Sequence, residues 1–264
     1  MKRHYRVGIS GWTYSRWRKQ FYPKDLPHSQ ELEYASHALR TIEINGTFYS
    51  LQSPKSYERW YHATPTGFVF SVKGSRYITH VKRLKDVKEP LKRFFKSGVL
   101  MLKEKLGPIL WQLPPSFRYD RERLEAFFQL LPKDFAAAGG ESHRRLKYAL
   151  EVRHESFVEN EREFLALLKR YRIALVCADA ARTGRSAAWP HFETRTASFA
   201  YARLHGGSIL YASGYTPRQL RHWAQVARKW SGRQHDVFIY FDNDAKVHAP
   251  SNAKELQKML SHTH

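Results

Sequence analysis

Acids, guanidinium groups and imidazoles stand two residues apart at the ends of short apolar runs in this chain. Glu43 pairs in this way with Asn45, Ser71 with Lys73, Glu151 with Arg153, Cys177 with Asp179, Arg203 with His205, and Tyr240 with Asp242; Ser10 and Gln112 end two further runs. Residues two apart on a strand share a face, so each run delivers a polar group at its C-terminal end. The starts of the runs, among them Val7, Ile42, Val69, Ile109, Ala149 and Phe238, are apolar. A packed interior has no need of polar residues at one end only, whereas a ligand site there does. Arg153 and Arg203 offer forks matched to phosphate oxygens, and Lys73 adds a point charge. His205 titrates near neutrality in its unperturbed state and is the first candidate for proton transfer. Glu151, Glu43 and Asp179 are candidate bases or orienting groups. The competing reading is a charge-balanced plug, with Glu43, Glu151, Asp179 and Asp242 paired to Lys73, Arg153 and Arg203 so that no lone charge is buried.

Three local stretches add detail. Gly8-Ile-Ser-Gly-Trp-Thr-Tyr14 follows a strand-like start; its glycines allow close backbone approach, and Trp12 and Tyr14 are candidate stacking platforms. Glu151-Val-Arg-His154 places an acid, a guanidinium and an imidazole at one strand end, and Arg203-Leu-His-Gly206 repeats the theme. Asn45, Gln112, His154, Asp242 and Asn243 complete the candidate ligand-binding set. Glu43, Glu151, Asp179 and His205 could converge as oxygen and nitrogen ligands, but no HExxH motif is present and the facing cations would repel a divalent ion. No cofactor is expected, and a metal is disfavoured. The GxxxxGK[ST] and GxGxxG patterns are absent, so neither a P-loop nor a Rossmann site has local support.

The elements that must position these residues are eight β-type runs: Arg6–Ser10, Thr41–Asn45, Phe68–Lys73, Ile109–Leu113, Tyr148–Arg153, Ile173–Asp179, Phe199–His205 and Val237–Asp242. Most are apolar, as parallel strands covered by helices should be. Helical periods lie between them. Leu32, Ala35 and Leu39 follow Ser29 as N-cap, and Leu124, Phe127, Phe128 and Leu131 follow Asp120. Phe164, Leu167, Leu168 and Tyr171 follow Asn160, with Glu163 spaced for a capping box. Leu220, Trp223, Ala227 and Trp230 follow Pro217, and Ala253, Leu256 and Leu260 follow Ser251 and Asn252. This alternation predicts a single (β/α)₈ TIM-like barrel over residues 1–264, with an open doubly wound sheet as the alternative. Ala180 to Ser198 has no helical period, so the helix between strands six and seven is expected to be irregular or missing.

Composition narrows the class of protein. The 264 residues are 42% hydrophobic, enough for a large core. No apolar run approaches the roughly 18 residues a membrane span needs. The basic start MKRHYRVGIS has no apolar leader region, and Cys177 is the single cysteine, so a cytoplasmic protein without membrane contact is expected. Lys and Arg total 45 against 24 acids, a net charge of +21. Positions 2–24 hold seven basic residues and no acid, interleaved with five aromatics from Trp12 to Tyr22; positions 194–235 hold seven and no acid; positions 73–105 hold eleven against three. Gathered around one mouth, these stretches would form an electrostatic funnel for polyanions.

The motifs GISGWTYSRW with FYP, TIEINGTFYSL, TPTGFVFSVKGSRYITH, ILWQLPPSF, ALEVRHESF, ARLHG and IYFDNDAKVHAPSNAKEL resemble, in this order, the domain of unknown function 72 family, also called YecE-like. The resemblance spans nearly the whole chain. It implies a TIM-barrel-like fold and no particular reaction. Where the family often carries paired asparagines after the last strand, this chain has Asp242-Asn243, which adds a negative charge at the mouth. The functional expectation is a phosphate-rich ligand, DNA, RNA or a nucleotide, bound at the C-terminal mouth, with phosphoester hydrolysis as its enzymatic form. The alternatives are an enzyme acting on a small sugar or sugar phosphate, and a non-catalytic nucleic-acid-binding protein; DNA, RNA or a phosphorylated small molecule is the expected partner.

Overall fold

The computed structural model describes residues 4–181, 189–232 and 234–261. Eight parallel strands form one closed barrel in chain order: β1 (Tyr5–Ser10), β2 (Thr41–Ile44), β3 (Val69–Lys73), β4 (Leu106–Gln112), β5 (Tyr148–Glu151), β6 (Ala174–Asp179), β7 (Phe199–Leu204) and β8 (Asp236–Phe241), with β8 paired to β1. The barrel interior is filled by Val69, Leu110, Ala149, Ala174, Val176, Phe199, Tyr201, Phe238 and Tyr240. The alternate residues, such as Ile9, Ile42, Phe70 and Ile239, face outward into a larger core under the helices. Both faces being covered is what makes these strands read as nearly continuous apolar runs.

Gly8 lies inside the barrel beside Thr41 and Tyr240 in register. A Cβ there would sit 1.8 Å from the Thr41 carbonyl oxygen, so the β1–β2 approach requires glycine. Gly11, at φ +81°, makes the turn that leaves the mouth after β1.

The helices are α1 (Glu31–Ala38), α2 (Gly46–Tyr49), α3 (Pro54–His62), α4 (Lys88–Lys96), α5 (Arg121–Leu130), α6 (Ser156–Glu159), α7 (Glu161–Tyr171), α8 (Pro217–Ser231) and α9 (His248–Ser261). Asp120 caps α5 by accepting the Arg123 N–H, and Thr216 with Gln219 forms a capping box on α8. Two expected caps do not form. Ser29 lies in a 3₁₀ turn before α1, which begins after Gln30 without a side-chain cap. The Asn160 side chain donates to the Ser156 carbonyl, while Glu163 is taken by Tyr119 and Arg121, so no capping box closes on α7. The last helix starts ahead of Ser251, at His248. Between β6 and β7 none of the described residues is helical; positions 182–188 of this stretch lie outside the described residues. Among the described residues no helix is long and apolar enough to cross a membrane.

After β3 the chain makes one π-helical turn, Tyr77–Val81. Arg83, Leu84 and Asp86 then adopt positive φ (+49°, +66° and +52°), a rare sequence for residues with side chains. Arg83 fastens this segment by donating to Ser116 Oγ (2.9 Å) and to the Ser116 carbonyl (2.8 Å).

Candidate functional site at the barrel mouth

Arg203 is the centre of the C-terminal mouth. It follows Tyr201 on the inner face of β7 and is 1% exposed. Glu43, at the end of β2, accepts from its Nε (3.1 and 3.2 Å) and Nη2 (2.9 Å). Glu151, ending β5, accepts from Nη1 (2.8 Å), and Asp242, just past β8, accepts from Nη2 (2.8 Å). One Nη1 proton is left over. Glu43 is further held by Ser10 Oγ (2.8 Å) and the Tyr201 hydroxyl (2.5 Å). Burial disfavours every charge here, but the attractions win. The carboxylates raise the Arg203 pKa well above its ordinary range. Arg153 and Arg203 together hold Glu151 well below the usual carboxylate range. Arg203 brings Asp242 down to about 2. Beneath lies a hydroxyl layer in which Ser71 meets Tyr201 (2.7 Å) and Thr41 meets Tyr240 (2.8 Å).

Two more cations sit above this cluster. Arg153 places Nε and Nη2 2.6 Å from Glu151 Oε1 and stacks its guanidinium 3.8 Å from the centre of the Trp189 ring. Lys73, the last residue of β3, is 8% exposed, with Nζ 4.2 Å from the centre of the Phe48 ring. Among the described residues Nζ makes no hydrogen bond and no ion pair. Burial and then Arg203 lower its pKa to about 8; Glu151 and Glu43 oppose this and Arg153 reinforces it. His80, on the π turn, packs edge-on against the same Phe48 ring and lies 2.9 Å from Thr79 Oγ1. Burial, Lys73 and Arg153 take its pKa down to about 4, so it is neutral at working pH. Asp244 lies near Tyr14 and Asp242, and burial with the Asp242 charge raises its pKa to about 6. The Tyr14 hydroxyl itself donates to the Ser10 carbonyl (2.7 Å).

Of the residues expected at the mouth, the structure gathers Glu43, Lys73, Glu151, Arg153, Arg203, His205 and Asp242. Gln112 joins them on the inner face beside Glu151, its amide donating to the Leu113 carbonyl (2.7 Å). His205 is present but has no exposed surface: Nδ1 lies 3.0 Å from Asp242 Oδ2, outside good hydrogen-bonding alignment, and Trp189 and Tyr211 close over the ring edge-on. Burial outweighs Asp242 and lowers its pKa, which keeps it neutral.

Asp179 is not at the mouth. Ala178 is the residue in register with Arg203, and Asp179 pairs with Leu204 on the outer face, where its Oδ2 accepts from Trp223 Nε1 of α8 (3.2 Å). Asn243 points outward too, donating to the Ser213 carbonyl (2.9 Å) and Asn252 Oδ1 (3.0 Å). His154 Nδ1 accepts the Ser156 N–H (3.1 Å) at the start of α6. The Trp12 ring packs at right angles on Trp60 of α3, 5.4 Å away. Asn45 is half-buried before α2, its Oδ1 without a hydrogen-bond partner among the described residues. Sequence reasoning missed Tyr201, whose parity with Arg203 could have revealed it. It also missed Phe48, His80, Trp189, Tyr211 and Asp244, which reach the mouth from loops and leave no periodic signal.

A closed eight-stranded β/α barrel with a charged, partly aromatic mouth defines the class of this protein. The chain belongs to the DUF72 family: the model described as "Protein of unknown function DUF72" matches residues 6–264. UPF0759 protein YunF of Bacillus subtilis is 22% identical, covering 96% of this chain and 94% of YunF. UPF0759 protein YecE of Escherichia coli is 27% identical over 57% of this chain and 49% of YecE. A solved DUF72 family protein from Thermotoga maritima superposes with a TM-score of 0.84 at 27% identity, covering 98% of this chain and all (100%) of that one. A second, from Enterococcus faecalis, gives 0.79 at 21% identity over 98% and 96% of the two chains.

Proposed function

We propose that the mouth binds a small phosphate-bearing molecule between Lys73 and Arg153. The observation that carries this reading is Lys73: the ammonium of a side chain only 8% exposed, with no hydrogen bond or ion pair among the described residues. A buried charge without a partner is costly, and a bound anion would supply one. Arg153 is its natural second donor, because Glu151 takes only one edge of the guanidinium and Trp189 fixes its plane. Arg203, expected from the sequence to grip the anion, instead has its donors on three carboxylates and serves as scaffold. Glu43, Glu151 and Asp242 are likewise bound to guanidinium groups, so the reading is one of binding and does not extend to phosphoester hydrolysis. The low exposure of Lys73 favours a small ligand over a polymer lying across the barrel.

Thermal unfolding and calorimetry with inorganic phosphate, glucose 6-phosphate and glucose test this. At about 100 times Kd a bound ligand adds about 2.7 kcal/mol to stability. The two phosphates should stabilise the protein and glucose should not, and Lys73→Met should abolish the effect. Equal phosphate binding by Lys73→Met and parent overturns the assignment. A second reading, single-stranded nucleic acid, is favoured by Tyr77, 48% exposed beside exposed Arg76 on the same loop as His80. Titration of a labelled strand at several salt concentrations tests it; absence of binding at low salt removes it.

A further inference from the structure

We propose that Lys73 Nζ condenses with an aldehyde or ketone carried by the ligand, forming an imine at the base of the mouth. The inference rests on the phosphate reading for the other half of the ligand: its phosphate sits on Arg153 and its carbonyl reaches Nζ.

The geometry singles out this amine. Lys105, the other lysine buried among the described residues, donates to the Tyr61 carbonyl (2.6 Å), the Thr64 carbonyl (2.6 Å) and Thr64 Oγ1 (3.1 Å). That is how a buried ammonium is ordinarily satisfied. Lys73 has none of these bonds. Its Nζ rests on the face of Phe48 at the end of a rigid strand. The remaining cations of the mouth are guanidinium groups, which are not nucleophiles at working pH. Facing Nζ are Arg203 from β7, Arg153 following β5, Glu151 from β5, Glu43 from β2 and neutral His80 from the π turn. Burial and the two guanidinium groups favour the neutral amine, the form with a lone pair to donate, and desolvation beside another cation is a general route to a nucleophilic lysine.

The reaction balances without a further reagent. The neutral amine adds its lone pair to the carbonyl carbon, and the C=O π pair moves to oxygen. The proton released from nitrogen passes to His80 or water and returns to that oxygen. The proton that the ammonium gave up on becoming the neutral amine, held by His80 or water, then adds to the hydroxyl, which leaves as water as the nitrogen lone pair forms C=N. Ammonium and carbonyl thus become a protonated imine and one water, so the positive charge facing Glu151 and Glu43 is conserved.

Reductive trapping tests this on the full chain. The protein is incubated with glycolaldehyde phosphate, or with unphosphorylated glycolaldehyde, plus sodium cyanoborohydride, and the modified lysines are located by peptide mass spectrometry. Lys73 should be modified at least about tenfold faster than any exposed lysine at neutral pH, since a far larger fraction of it is unprotonated. Inorganic phosphate should slow its modification, and the phosphorylated aldehyde should react faster than the plain one. Lys73→Arg should lose the adduct while still binding phosphate; because the peptide map names the residue in the parent protein, the result does not depend on how that variant folds. If phosphate binds but Lys73 reacts no faster than surface lysines, the imine is overturned and the phosphate reading stands. If Lys73 reacts rapidly with both aldehydes alike and phosphate offers no protection, the phosphate reading falls and the nucleophilic lysine stands.

Discussion

Replacing Arg203 by methionine removes the one cation shared by Glu43, Glu151 and Asp242 while keeping much of its volume. The three carboxylates then face one another in a site where Glu43 and Glu151 have no exposed surface and Asp242 is 13% exposed. Breaking a buried ion pair by deleting one partner costs roughly 3–5 kcal/mol. For a domain of this size that corresponds to a fall in Tm of roughly 6–20 °C, at about 2–4 °C per kcal/mol. The pH dependence carries a sign that a packing defect would not. In the parent, Asp242 is depressed from 3.8 to about 2. This contributes about 2 kcal/mol above the ordinary carboxylate range, lost as pH falls through about 2. Without Arg203 the clustered acids repel, so their folded-state pKa values should rise above the unfolded ones. Stability of Arg203→Met relative to the parent should therefore increase as pH is lowered from 7 to 5, the shifted Asp244 and His80 contributing in both proteins. Urea unfolding at both pH values measures it. A loss below about 1 kcal/mol, well under the range for a broken buried pair, would refute the keystone role. So would a loss identical at pH 7 and pH 5.

Arg153→Lys keeps the charge but forfeits the fork and the stack on Trp189, and should weaken inorganic phosphate binding about tenfold, a loss of about 1.4 kcal/mol; calorimetry reads it, and unchanged affinity would remove Arg153 from the anion site. Phosphate affinity of the parent should decline as pH rises through about 8, where Lys73 loses its proton; a flat profile from pH 7 to 9 would show that Lys73 is not the donor. Asp179→Asn should lower stability by about 1–2 kcal/mol through the weakened Trp223 bond and leave phosphate affinity unchanged; an effect on calorimetric affinity would place this side chain at the mouth after all.

Much of the mouth was legible from strand parity alone. Glu43, Lys73, Glu151, Arg203 and Asp242 lie inside because each is an even step from inward residues such as Val69, Ala149, Tyr201 and Tyr240. Asp179 shows the limit of that logic. Cys177 and Asp179 do share a face, but β6 is apolar on both sides, and only the register with β7 reveals that small Ala174, Val176 and Ala178 take the interior. Those small residues leave room for the large Arg203 side chain beside them. His154 and Asn243 stand one residue from the inward Arg153 and Asp242, so the same parity puts them outside, where their polar atoms bind the start of a helix or tie down a loop. Glu163 had the spacing of a cap and was drawn instead to Tyr119 and Arg121, partners distant in sequence. The aromatic walls were illegible for a similar reason, since Trp189, Tyr211 and Phe48 meet only after the barrel closes.

The Arg203 cluster has a consequence for how this chain comes together. Its acids arrive early, from β2 and β5, and its cation only with β7. A nascent chain emerging N-terminus first therefore exposes Glu43 before Arg203 is synthesised, while Glu151 is followed two residues on by its partner Arg153. The first four strands leave Glu43 without Arg203, because β7 brings that cation in the other half. Closure of the ring and neutralisation of its centre are thus a single late event, tying together residues 160 positions apart in the chain. Contacts of such long sequence separation slow folding, and a barrel with β7 out of register would leave Glu43 without its cation.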